Sequence, residues 1–157
     1  MKLFIHIPKT GGTSVSEVLK IQAEHTKAKE YSNEELEDSW SIIRNPYNRA
    51  VSIFTEVTGV TPTTELLKKF WLGKIKYSKA PIESMTEYLT KEGKISVPLL
   101  LTFENLNEEF QEKFGKTLPH LNKGGCLADY SHLYDDELRE IIVKRFKIDF
   151  ITFNYQE

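Results

Sequence analysis

Lys2-Leu3-Phe4-Ile5-His6-Ile7-Pro8-Lys9-Thr10-Gly11-Gly12-Thr13-Ser14 is the stretch from which the fold follows. Residues 2 to 7 alternate Lys2, Phe4 and His6 with Leu3, Ile5 and Ile7, a strand pattern with at least one buried face. Pro8 ends the strand, and Lys9 to Ser14 make a tight polar turn. Val15, Val18, Leu19 and Gln22 then share one face of a helix that Thr13 or Ser14 can cap. A buried strand, a glycine turn and a helix start together form a cradle for phosphate. Backbone N–H groups point into such a turn, and the helix N-terminus adds about half a positive charge. Gly11 and Gly12 allow close backbone approach, Lys9 brings a full charge, and Thr10, Thr13 and Ser14 bring hydroxyls. The order differs from the Walker A pattern, because Lys9 precedes the glycines. An ordinary P-loop ATPase or GTPase is therefore disfavoured.

Beyond this turn, strands and helices alternate. Ser32-Asn33-Glu34-Glu35 has capping-box spacing and predicts a short helix to about Asp38. Trp40 to Ile43 reads as a second buried strand, and Asn45-Pro46 starts a helix through Val51, Phe54 and Val57 that stops near Gly59. Helices are expected at Thr63 to Leu72 and Ile82 to Leu89, and a third strand at Val97 to Phe103. Leu106 to Phe114 is amphipathic and ends at Gly115; a loop from Pro119 to Ala128 precedes a last helix of about Asp135 to Phe146. The expectation is one α/β domain over residues 1–157, with a mainly parallel sheet flanked by helices.

Composition narrows the function. The 157 residues are 39% hydrophobic and 28% charged, enough to build a core. Lys and Arg number 21 against 23 Asp and Glu, so the chain lacks the basic excess of a nucleic-acid binder. Its one cysteine, Cys126, cannot close an intramolecular disulfide. No apolar run approaches the roughly 18 residues of a membrane span, and the N-terminal apolar stretch is too short for a signal peptide. A soluble cytoplasmic protein is expected. No convincing metal-ligand cluster is present in the sequence.

A second strand-to-helix segment, Ile42-Ile43-Arg44-Asn45-Pro46-Tyr47-Asn48-Arg49-Ala50-Val51-Ser52, repeats the logic of the first. Arg44 lies at a strand's carboxyl end, where ligands gather in parallel sheets. Its planar fork suits a phosphate, and Ser52, two turns into the helix, adds a hydroxyl. Together the two segments resemble the carbohydrate-type sulfotransferases. His6 to Ser14 is similar to their 5′-phosphosulfate loop, and Arg44 to Ser52 to their 3′-phosphate element. Weaker echoes follow at Phe103-Glu104-Asn105-Leu106, Leu118-Pro119-His120-Leu121-Asn122 and Asp149 to Tyr155. The resemblance implies a P-loop-kinase-like fold and 3′-phosphoadenosine 5′-phosphosulfate (PAPS) as donor, with PAP as the desulfated product and no metal. It implies that Lys9, Thr10, Gly11, Gly12, Thr13 and Ser14 hold the phosphosulfate, and that Arg44 and Ser52 hold the 3′-phosphate. Lys123 and Gly124 are expected to close over the nucleotide. Animal members are longer and membrane-anchored, so a bacterial or viral cytosolic form is implied.

Transfer to a hydroxyl needs a base, charge stabilisation and a stabilised leaving phosphate. Lys9 and the loop amides can meet the last two needs. His25, after the first predicted helix, is the expected base, and some members of the family carry a histidine in a comparable place. Glu17, Glu30 and Glu104 are its rivals, because other sulfotransferases use a carboxylate. His6 is expected to support the loop. The basic stretch Lys74 to Lys79, near Trp71 and Tyr77, is either a solvated loop or a contact for the acceptor, a glycan or small molecule. A nucleotide or small-molecule kinase and a non-catalytic PAPS or PAP binder are the alternatives.

Overall fold

The computed structural model describes residues 3–22, 24–77, 82–118 and 129–157. In chain order the elements are β1 (Leu3–Ile5), α1 (Gly12–Leu19), α2 (Asn33–Leu36), β2 (Ser39–Ile43), α3 (Pro46–Thr58) and α4 (Thr64–Trp71). They continue with α5 (Met85–Leu89), β3 (Thr90–Lys91), β4 (Lys94–Ile95), β5 (Leu99–Thr102), α6 (Leu106–Phe114) and α7 (Asp136–Phe153). The fold is α/β. Two compact units form: one from the described residues of Met1–Arg44 and Met85–Ala128, the other from those of Asn45–Ser84 and Asp129–Glu157. Among the described residues, no helix is long and apolar enough to cross a membrane.

The first unit is built on a parallel sheet of order β1-β2-β5. Phe4 is in register with Trp40, and Trp40 in turn with Leu99. All five residues of β2 are buried, Ser39 and Ser41 included, as befits a central strand covered on both faces. The Ser41 hydroxyl donates to the Ile5 carbonyl at 2.6 Å, which satisfies a polar group inside the sheet. Phe4, Val15, Trp40, Ile42, Leu101 and Phe110 belong to one buried cluster, with Trp40 stacked on Phe4 at 4.4 Å. At the far end of β5, Thr102 donates from its N–H and its hydroxyl to the two Glu109 oxygens, at 2.6 and 2.7 Å, and so ties β5 to α6. The Ser32–Glu35 capping box forms as its spacing predicts, and Gly115 closes α6 in a left-handed conformation.

Three local expectations in this unit are corrected. The first strand covers only Leu3–Ile5 rather than residues 2 to 7. Helix α1 starts at Gly12, capped by left-handed Gly11, so Thr13 and Ser14 lie inside it rather than before it. It stops at left-handed Lys20, which leaves Gln22 exposed beyond its end. The sequence reading also missed the β3–β4 hairpin. Glu92 and Gly93 both adopt positive φ, the geometry of a two-residue type I′ turn, and Thr90 pairs with Ile95 across it.

The second unit is helical. Asn45 caps α3 by accepting from the Tyr47 N–H at 2.9 Å, Pro46 occupies the first helical position, and Gly59 ends the helix. Val51, Phe54, Leu67, Phe70, Leu138, Ile142 and Phe150 share one buried cluster. Each such side chain contributes about 1.5–3 kcal/mol through burial. Helix α7 passes Phe146, where it was expected to end, and continues to Phe153. Phe146 is the one non-helical residue inside it, so a local break stands where the apolar pattern shifts. Asp135 caps α7 through the Leu138 N–H and pairs with Lys68 at 2.7 Å. Lys68, with Leu138's amide next in weight, holds the Asp135 carboxyl below its ordinary range. Arg49 is buried and donates to the Glu83 carbonyl at 2.9 Å.

Candidate anion site

Because the three strands of the sheet are parallel, their carboxyl ends share one edge of the first unit. The turn after β1, Arg44 after β2 and Phe103-Glu104 after β5 all emerge there. This is the side on which parallel α/β sheets bind ligands.

The turn itself has unusual backbone geometry. Lys9 has φ 66° and Gly11 has φ 89°, so two left-handed residues flank Thr10. Glycine takes that conformation freely, whereas for lysine it costs about 1 kcal/mol or more. Three contacts offset the cost. The Thr10 hydroxyl is buried and donates to the Ile7 carbonyl at 2.8 Å. Arg44, 5% exposed, donates from Nη1 to the Lys9 carbonyl at 3.1 Å. Its guanidinium carbon lies 4.1 Å from the centre of the Phe103 ring. The Arg44 N–H is held by the Met85 sulfur at 3.3 Å.

Both glycines are required, for different reasons. A side chain at Gly11 would meet positive φ and the Phe103 ring, 2.9 Å from its Cβ. A Cβ on Gly12 would fall 2.1 Å from Cδ2 and 2.2 Å from Nε2 of His6. The imidazole of His6 thus fills the space that the Gly12 side chain would need. His6 is buried, its ring is 5.5 Å from that of Phe4, and its carbonyl holds the next residue of interest.

That residue is His25. Its Nδ1 lies 2.9 Å from the His6 carbonyl oxygen, and the two imidazole centres are 4.2 Å apart. A carbonyl only accepts, so Nδ1 carries the proton and neutral His25 keeps its lone pair on Nε2. His25 is exposed. The rival carboxylates are placed differently. Glu17 is exposed on α1, Glu30 is exposed beside Lys29, and Glu104 is half-buried next to Phe103 at the same sheet edge. Thr13 is exposed and Ser14 half-buried in the first turn of α1.

The structure therefore brings Lys9, Thr10, Gly11, Gly12, Thr13, Ser14, His25 and Arg44 into one unit. Ser52 belongs to the other unit, half-buried on α3. Lys123 and Gly124 lie outside the described residues, as do Pro119 to Ala128 around them. In the basic stretch, the Tyr77 ring stacks on Phe70 at 4.8 Å and Trp71 packs edge-on against Phe146 at 5.2 Å. Both aromatics serve the core, while Lys74 and Lys76 are exposed. Phe103 was missed as a site residue. An aromatic directly after a strand reads as core, and nothing local links it to Gly11 or Arg44.

Helix α1 also differs electrostatically from most of the other helices. Side chains cap α3, α4 and α7, and α6 carries Glu108 and Glu109 in its first turn. Among the described residues, helix α1 has neither a side-chain cap nor an acidic residue in its first turn. An N-terminus of that kind, with unbonded first-turn amides and the positive end of the helix dipole, is suited to an anion. Among the described residues, no three His, Cys, Asp or Glu side chains cluster to hold a metal ion. No family model matches the sequence, and no curated protein matches it.

Proposed function

We propose that this chain is a sulfotransferase that moves a sulfuryl group from PAPS to an acceptor hydroxyl on a glycan or small molecule. The observation that carries the reading is the uncapped N-terminus of α1, met by a left-handed Lys9–Gly11 turn at the carboxyl edge of a parallel sheet. Such a turn suits an anion of two linked tetrahedral groups. The resemblance of His6 to Ser14 and of Arg44 to Ser52 to the sulfotransferase donor motifs makes that anion a phosphosulfate.

In this mechanism Lys9 and the amides of residues 10 to 14 hold the 5′-phosphosulfate. Thr10 contributes its N–H, since its hydroxyl serves Ile7. Arg44 holds the 3′-phosphate, and the resemblance of the segment Arg44 to Ser52 to the 3′-phosphate element gives Ser52 the same role. His25 Nε2 takes the acceptor proton as the new oxygen–sulfur bond forms and the old one to phosphate breaks. Lys9 and the α1 dipole stabilise the charge that develops on the leaving phosphate.

Donor turnover with a panel of hydroxyl acceptors tests the proposal, with Lys9→Ala as the control. The expected result is PAP release from PAPS that depends on acceptor and falls on the order of 10²-fold in the variant. Phosphoryl transfer from ATP instead would make the chain a kinase, and PAP binding without turnover would make it a binder only.

A further inference from the structure

The turn keeps a lysine in a conformation that lysine avoids, and a side chain from a distant strand end bonds its carbonyl. Arg44 is 35 residues from Lys9 in sequence, and its Nη1 donates to the Lys9 carbonyl at 3.1 Å. The same guanidinium lies over the Phe103 ring, and that ring faces Gly11, the second left-handed residue. One arginine thus touches both sides of the turn, by a charge-assisted bond to Lys9 and by stacking on the ring that walls in Gly11.

We propose that Arg44 is a positioning residue for the 5′ loop: it locks Lys9 left-handed and so presets the backbone N–H groups that receive an anion. This rests on the reading of the loop as a phosphate or phosphosulfate cradle, and it goes beyond the 3′-phosphate role given to Arg44 above. A cradle set before binding pays less ordering cost when the ligand arrives. Removing Arg44 therefore weakens ligands that lack a 3′-phosphate altogether.

The test uses the full chain with Arg44→Met, which keeps bulk over Phe103 but has no donor, and with Arg44→Lys as a second variant in case the first folds poorly. The first readout needs no ligand: the backbone chemical shifts and HN–Hα coupling of Lys9, which distinguish a left-handed residue from an extended one. Arg44→Met is expected to move both away from left-handed values. The second readout is titration with adenosine 5′-phosphosulfate and with PAP. The proposal expects Arg44→Met to weaken the first ligand as well as the second, by roughly 10-fold or more, together with the change at Lys9. In a Lys9→Gly background, where positive φ costs little, the effect of Arg44→Met on the first ligand should largely vanish. A Lys9 that stays left-handed in Arg44→Met, or an unchanged affinity for adenosine 5′-phosphosulfate, overturns it, because Arg44 would then act only by direct contact. Should wild type bind neither ligand, the donor reading fails, and the Lys9 backbone data alone decide whether Arg44 positions the loop.

Discussion

Gly12→Ala is the substitution whose sign is most informative. Gly12 opens α1 and is not among the positive-φ residues, so alanine fits its backbone. On propensity alone the change should stabilise the chain by up to about 1 kcal/mol. Space argues the other way. The new Cβ would stand 2.1 Å from His6 Cδ2, so the ring must retreat by about 1.3 Å to reach ordinary contact, an overpacking that costs about 1–3 kcal/mol. The ring has little room, since His6 is 8% exposed and its imidazole lies 4.2 Å from that of His25. The clash wins, and a net loss of about 1–2 kcal/mol lowers Tm by roughly 2–8 °C for a chain of this length. Thermal unfolding of wild type, Gly12→Ala, His6→Ala and the double variant measures both the loss and the coupling. In the His6→Ala background the ring is gone, so Gly12→Ala should be neutral or stabilising. A higher Tm for Gly12→Ala in wild type, or the same change in both backgrounds, refutes the argument that His6 makes Gly12 a glycine.

His25→Ala should lower the transfer rate by roughly 10²- to 10⁴-fold and leave PAP affinity unchanged; rate measurements beside calorimetry check this, and a variant that keeps the wild-type rate moves the base to Glu104, Glu17 or Glu30. Ser52→Ala should weaken PAP by roughly 10-fold or more with little change for adenosine 5′-phosphosulfate; equal losses would remove Ser52 from 3′-phosphate recognition. Asp135→Asn keeps the α7 cap acceptor and removes the charge paired with Lys68. Because the folded carboxyl sits below its ordinary value, Asp135 stabilises the chain above about pH 4. That stability is lost as pH falls through the lowered value. Wild type should therefore melt higher than Asp135→Asn near neutrality, and the gap should close in acid.

Much of the scaffold was legible because its signals are local. Ser32 with Glu35, Asn45 with Pro46, and Gly59 and Gly115 each set a helix boundary through a partner at most a few residues away. Trp40, Ile42 and Ile43 likewise need only their own composition to read as a buried strand. Where boundaries moved, a competing interaction decided them. Gly11 in the left-handed region let α1 begin before the hydroxyl residues expected to cap it. Glu92 carries no turn signal of its own, yet with Gly93 it supplies the positive-φ pair of a hairpin. The site was legible as a set of residue types but not as an arrangement. That His6 fills the Gly12 space and holds His25 by its carbonyl depends on contacts across 6 and 19 residues. That Arg44 reaches the Lys9 carbonyl depends on the parallel pairing of two strands, which no local pattern encodes.

If the loop after β1 serves a sulfuryl donor, as proposed, PAP is a ligand that the free chain binds. Calorimetric titration of the wild-type chain with PAP, set against ATP with magnesium, tests it most directly. One PAP site per chain, much weaker binding of magnesium ATP, and loss of the PAP signal in Lys9→Ala are expected. Tight magnesium ATP binding without a response to PAP would contradict the proposal, as would PAP binding that Lys9→Ala leaves intact.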